Sequence, residues 1–265
     1  MTLPAHDGAL RAADSPARSL AAGDVELSVI VPVRDEAENI AALAAEIRAA
    51  LQGRIRYELI YVDDGSRDGT AAALTDAAER LPELRWLHHA ESIGQSGAVL
   101  SGVLAARGHL IATLDGDGQN DPADIPRMLD ALSQVGGPSK VQAITGVRAK
   151  RHDNLAKRWG SRIANAVRRH CLGDDAADSG CGIRLVTREA FLRLPFFDHL
   201  HRFVPALLRR EGYRVIALPV HHRPRTRGRS KYGTWDRLWV GIVDLFGVMW
   251  LMKRRNRTEV SSNDP

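Results

Sequence analysis

Asp115-Gly116-Asp117, with Gln119 two residues further on, is the stretch of this sequence best equipped for chemistry. Two carboxylates at i and i+2 can reach one divalent ion directly or through water. Oxygen-only ligation suits Mg²⁺ or Mn²⁺ and leaves positions for substrate phosphates. A solvated acidic loop has the same composition, so the spacing alone does not decide. An EF-hand is excluded: counted from Asp115, the sixth position is Asn120 and the twelfth Pro126, where Gly and Glu are required. Two more acidic pairs, Asp35-Glu36 and Asp63-Asp64, each follow a short apolar run. Crowded carboxylates repel unless a cation or hydrogen-bond donors offset the charge. Neither a GxGxxG turn nor a GxxxxGK[ST] loop occurs, which removes the usual dinucleotide and P-loop readings.

These acidic pairs need strands to carry them. Leu27–Val31, Tyr57–Val62, Leu84–Leu87 and His109–Leu114 are β-branched or apolar runs, and helical segments separate them. Asp35 followed by Glu38 reads as a capping box for a helix ending near Leu51. Further helices are expected near Asp68–Arg80 and Gly97–Arg107. Alternating strands and helices predict βαβ units and a mostly parallel sheet, with ligands at the carboxyl ends of its strands. Past Gly146 a basic helix is expected over Asn154–Leu172, a turn plus strand over Asp178–Val186 and a strand over Tyr213–Val220. A basic loop, His221–Gly233, and a helix from about Trp235 to Lys253 complete the chain.

Composition bounds the class. The 265 residues are 44% hydrophobic and 26% charged, enough for a sizeable core and unlike a disordered chain. Cys171 and Cys181 alone make neither a disulfide framework nor a metal clip, so a reducing cytoplasm is the expected compartment. Residues 1–24 lack an apolar run; they read as a flexible tail rather than a signal peptide. The net charge of +5 hides a division. Residues 1–146 hold 12 basic and 21 acidic side chains, and residues 147–265 hold 25 and 11. An acidic half suits cations, and a basic half suits an anionic partner.

Val31–Ile40, Val62–Thr70 and Leu114–Asp117, in that order and each ending a strand, resemble the nucleotide-sugar half of family 2 glycosyltransferases. Gly146-Val147-Arg148, Arg158–Arg162, Asp178–Arg184 and Arg227–Gly233 resemble its polyprenyl-phosphate branch, which includes dolichol-phosphate mannose synthase. The likeness runs from about Glu26 to Arg255. It implies an α/β GT-A fold over residues 25–233, divided at 146 into a donor half and an acceptor half. It also implies inverting transfer of mannose or glucose from GDP-mannose or UDP-glucose to a dolichyl or undecaprenyl phosphate. Pro32, Glu36, Asp63 and Asp64 would line the base and ribose pocket, and Asp115, Asp117 and Gln119 would hold Mg²⁺ or Mn²⁺. Arg148 and Arg162 would grip the lipid phosphate, and Arg229, Ser230 and Lys231 would close over phosphates. Asp178 would orient the acceptor or act as a base; an Asx turn or a salt bridge to Arg184 would explain it equally well. Gly94-Gln95-Ser96-Gly97 fills a turn that relatives also carry.

The paired histidines His88-His89 and His221-His222 point to opposite faces if they lie on strands, and read as structural. His201 and Arg202 precede an apolar stretch and read as packing. The cysteines read as small buried hydrophobes. Leu238–Met252 is an apolar run of 15 residues with one charge, short of the roughly 20 that span a bilayer. Flanking Trp and basic residues suit an amphipathic helix on the cytoplasmic membrane face within residues 234–265; a buried helix would also fit. A membrane-anchoring partner subunit is a further expectation, and nucleic acid is not an expected partner. The competing readings are a family 2 enzyme with a sugar or protein hydroxyl acceptor and a non-catalytic binder of anionic membrane or nucleic acid.

Overall fold

The computed structural model describes residues 25–148, 172, 180–224 and 234–254, together with the two-residue strand β1 (Arg11–Ala12). The sequence-derived readings for Arg162, Asp178, Arg229, Ser230, Lys231, Cys171 and the basic helix before Leu172 lie outside the described residues.

The predicted strands β2 (Leu27–Val33), β3 (Tyr57–Asp64), β4 (Leu84–His89) and β5 (Leu110–Thr113) form, with β6 (Ala143–Arg148), β7 (Arg184–Thr187) and β8 (Val215–Val220) after them. One sheet runs in the order β1-β4-β3-β2-β5-β7-β6-β8. Strands β4, β3, β2 and β5 are mutually parallel, and β6 is parallel to β8. Strand β7 is inserted antiparallel between β5 and β6. The sheet is therefore mostly parallel at its centre, as expected, and it continues without a break across residue 146.

Every residue of β3 is buried, as a central strand covered on both faces must be. Alternation sorts its side chains. Leu59 and Tyr61, with Val29 and Val31 of β2, face helices α1 (Ala37–Leu51), α2 (Thr70–Arg80) and α4 (Asp124–Gln134). Ile60 and Val62, with Ile30, face α3 (Gln95–Ala105), α5 (Arg188–Leu192), α6 (Val204–Arg210) and the C-terminal α7 (Thr234–Lys253). Cys181 is buried in the first of these clusters, as a small hydrophobe.

One expectation is overturned. Asp35 does not cap α1: it sits at φ 49°, and no side chain of its own segment caps the helix. The segment after β3 holds the approach to the helix instead, and Asp68 Oδ2 takes the first helical N–H, that of Ala37, at 3.4 Å. Ser66 Oγ accepts the Asp35 N–H at 2.8 Å, and Thr70 Oγ1 accepts that of Glu36 at 2.9 Å. The Asp35 carboxylate answers by accepting the Arg67 N–H at 2.7 Å. Two acidic loops, adjacent because β2 and β3 pair in parallel, thus satisfy each other's backbone donors.

Candidate active site

The acidic pairs meet along one edge of the sheet. Register places Val33 beside Asp63, so the turn carrying Glu36 and the end of β3 emerge together. Asp115 follows β5, which pairs with the other side of β2. Pro32, Glu36, Asp63, Asp64, Asp115, Asp117 and Gln119 are therefore gathered at the carboxyl ends of parallel strands.

Their side chains do different things. Glu36 accepts from Asn39 Nδ2 at 2.6 Å. Asp63 is buried, takes the Ser66 N–H at 3.1 Å and meets His88 Nδ1 at 3.0 Å. Asp64 points to the other face, where His89 Nδ1 lies 2.9 Å away. The two histidines do face opposite sides, each on its own aspartate. Asp64 also accepts from Ser92 Oγ, the Ile93 N–H and the Gly94 N–H at 2.6, 2.9 and 3.0 Å. Against the opposing effect of burial, these bonds hold its carboxyl down to about 2. Both Asp64 oxygens are thus occupied in fixing the turn before α3, where Gly94 takes φ 86°.

Asp115 lies at the centre. Its N–H is tied to Asn120 Oδ1 at 3.0 Å, which curls the 115–120 loop, and the Gln119 N–H bonds Asp117 Oδ1 at 3.1 Å. Gln95 Nε2 donates to Asp115 Oδ1 at 2.8 Å. The other Asp115 oxygen lies against the Gly182 Cα, so closely that any Cβ there would collide with it. Burial first and the Asp117 charge second push the Asp115 carboxyl up to about 6 against the pull of Arg184, Gln95 and Arg148. A buried carboxylate with a second one beside it is a donor set fit for a hard divalent cation. Among the described residues, no group of three His, Cys, Asp or Glu side chains is arranged to hold a metal ion. Gln119 is an amide neighbour whose Nε2 lies 3.5 Å from the Arg223 carbonyl. Of the residues expected at the acceptor phosphate, Arg148 is described: it ends β6, near enough to Asp115 to act on its charge.

A narrow cleft, its enclosed part roomy enough for about one water and its mouth open to solvent, adjoins Asp115. Pro32, Val99, Leu114 and Phe191 give it apolar walls; Gln95, Ser96, Arg184 and His201 give it polar ones. Sequence reasoning missed Gln95, Ser96 and Gly182 and left His201 to packing. Their one signal was the glycine-bracketed turn at residues 94–97, because the contacts that place them join residues 20 to 105 positions apart. His221, by contrast, is structural as expected: its N–H and Nδ1 meet buried Asp124 at 2.7 and 3.0 Å.

This edge and sheet define an α/β protein of the GT-A class. Residues 28–194 match the model of glycosyl transferase family 2. The chain belongs to that family, and so to the glycosyltransferases. It is similar to a dodecaprenyl-phosphate galacturonate synthase of Rhizobium johnstonii, 33% identical over 94% of this chain and 72% of the relative. It is also similar to an undecaprenyl-phosphate 4-deoxy-4-formamido-L-arabinose transferase of Edwardsiella ictaluri, 32% identical over 78% of this chain. There the match spans 63% of the relative's length. Among solved structures, a mannosyltransferase from Pyrobaculum calidifontis in complex with GDP-Man and Mn²⁺ superposes with a TM-score of 0.64 at 22% identity, over 88% of this chain and 66% of that one. Glucosyl-3-phosphoglycerate synthase from Mycobacterium tuberculosis, in complex with Mg²⁺ and UDP, gives 0.62 at 18% identity over 87% and 80%. These two share the fold.

Proposed function

We propose that this chain transfers a glycosyl group from a nucleoside-diphosphate sugar to a polyprenyl phosphate, with inversion at the sugar carbon. The observation that carries the reading is the Asp115–Asp117 pair at a strand end beside a half-apolar cleft, in a chain of this family. GDP-mannose and UDP-glucose are candidate donors. The printed names of the relatives add galacturonate and 4-deoxy-4-formamido-L-arabinose to the sugars worth testing.

Asp115 and Asp117, with Gln119, would hold Mg²⁺ or Mn²⁺, the ions named in complex with the two solved neighbours. When bound, such a cation stabilises negative charge on the departing nucleoside diphosphate. Gln95 orients Asp115, and Gly182 gives it room. Pro32, Glu36 and Asp63 border the base and ribose, and Asp64 serves them by fixing the turn at Ser92–Gly94. Arg148 and Arg162 offset the acceptor phosphate, while Arg229, Ser230 and Lys231 close over phosphates. A phosphate monoester, with its second pKa of about 6, is already anionic near neutral pH and attacks without a strong base. Asp178 then orients the acceptor only.

We place the enzyme on the cytoplasmic membrane face, with α7 in the interface. No helix among the described residues is long and apolar enough to cross a membrane. Val243, Phe246 and Trp250 are exposed along α7, and the Arg254 guanidinium lies 5.0 Å from the Trp250 ring centre. Asp178→Asn tests the acceptor class. Turnover that weakens without vanishing agrees with a phosphate acceptor, whereas abolished turnover points to a hydroxyl acceptor that needs a base.

A further inference from the structure

We propose that His201 presents its Nε2–H to the transferred sugar as a fixed hydrogen-bond donor, and that Ser96 locks the ring in this tautomer. The inference rests on the reading above, that Asp115 and Asp117 lie at the donor's diphosphate.

Ser96 stands in the first turn of α3 and is buried. Its Oγ accepts the backbone N–H of His201 at 3.1 Å and lies 2.8 Å from Nδ1 of the same residue. A serine hydroxyl has one hydrogen to give. Among the described residues, Nδ1 is the one side-chain or backbone acceptor paired with this hydroxyl. If Nδ1 carried a proton it would donate to Oγ, and the hydroxyl hydrogen of buried Ser96 would be left without an acceptor among the described residues. Nδ1 is therefore the acceptor, and a neutral imidazole then carries its proton on Nε2. Neutrality follows from the surroundings: burial, and after it the charges of Arg184, Arg202 and His199, push the ring down to about 3.

Among the described residues Nε2 has no protein partner, and the ring lines the cleft next to Asp115. The group that projects into a cleft beside a diphosphate site is the one attached to the diphosphate, the sugar. At the mouth of this cleft His201 offers a donor that cannot accept. A fixed donor of this kind selects a sugar oxygen at one position and orientation. Its tie to Ser96 joins the segment after α5 to the start of α3, so the same bond that sets the tautomer also sets the width of the cleft.

Nitrogen NMR of the full chain, labelled at histidine and assigned by the signals lost in His201→Gln, reads the tautomer directly. The expected result is a pyridine-type Nδ1 and a protonated Nε2 from pH 5 to pH 7. The Nε2 signal should shift with UDP-glucose, GDP-mannose or UDP-galacturonate plus Mg²⁺, and stay in place with UDP or GDP plus Mg²⁺. A proton on Nδ1, an ordinary titration near pH 6.5, or the same shift with nucleoside diphosphate alone would overturn the inference. In steady-state assays, His201→Ala should lower kcat/KM for the accepted sugar nucleotide about 10- to 100-fold, with nucleoside diphosphate affinity unchanged. His201→Gln, which keeps an N–H at the Nε2 position, should recover most of the loss. Equal kcat/KM in the alanine variant and wild type contradicts the inference while leaving the donor reading intact. Absence of cation-dependent UDP or GDP binding to wild type overturns the donor reading, and the inference with it.

Discussion

Burial, and after it the charges of Arg184 and Arg202, keep His201 neutral in the folded chain down to about pH 3, whereas an unfolded histidine takes up its proton near 6.5. Between these values the unfolded state binds more protons, so stability falls as pH drops from 6.5 toward 3. The slope from this one group is at most about 1.4 kcal/mol per pH unit. Urea midpoints at pH 7.5 and pH 5 should differ less for His201→Gln than for wild type; an unchanged difference refutes the assignment. Asp64 carries the same sign in a lower pH window. Its lowered pKa contributes stability above the ordinary carboxylate range that is lost as pH falls toward 2. Asp64→Ala strands two backbone N–H groups and two side chains, and should cost about 2–4 kcal/mol in denaturant titrations. Gly182→Ala acts locally. The new Cβ displaces the Asp115 carboxylate, so cation-dependent nucleoside diphosphate affinity should fall at least about tenfold, with little change in melting temperature. Wild-type affinity in that variant would remove Asp115 from the cation site.

At the level of elements, sequence periodicity revealed what is local and missed what is not. β-branched runs ending in carboxylates located β2, β3 and β5, because a central parallel strand is apolar on both faces. Period-two alternation placed His88 and His89 on opposite faces. Asp35 was misread as a helix cap because its spacing to Glu38 is a local pattern, while the side chains that take the Asp35, Glu36 and Ala37 N–H groups, Ser66, Thr70 and Asp68, follow β3. The Ser96–His201 contact joins residues 105 positions apart and leaves no trace in any window of sequence. Helix α7 was legible in extent, and its faces are now distinct. Val248 is buried and Leu245, Met249 and Met252 pack on the core, whereas Phe246 and Trp250 are 65% and 56% exposed. If this stripe meets the membrane, Phe246→Glu with Trp250→Glu should abolish co-sedimentation with anionic vesicles and spare turnover of a short-chain, water-soluble acceptor. Unaltered vesicle binding would assign the stripe to another partner.

Across the whole molecule, charge and topology divide the labour. The acidic residues of the first half converge at the strand ends that flank Asp115, and the basic second half returns β7 against β5, bringing Arg184 next to the same carboxylate. On the proposed reading, one continuous sheet would hold a cation and a diphosphate at these strand ends, with the Arg184 and Arg148 charges close by for a second anion. The most direct test of this account is a mass-spectrometric transfer assay with the purified chain, undecaprenyl phosphate, Mg²⁺ or Mn²⁺ and a mixture of GDP-mannose, UDP-glucose and UDP-galacturonate. The account predicts a glycosylated lipid phosphate that disappears with EDTA and in Asp117→Ala. Metal-dependent hydrolysis of a sugar nucleotide without any lipid product would contradict the polyprenyl-phosphate acceptor.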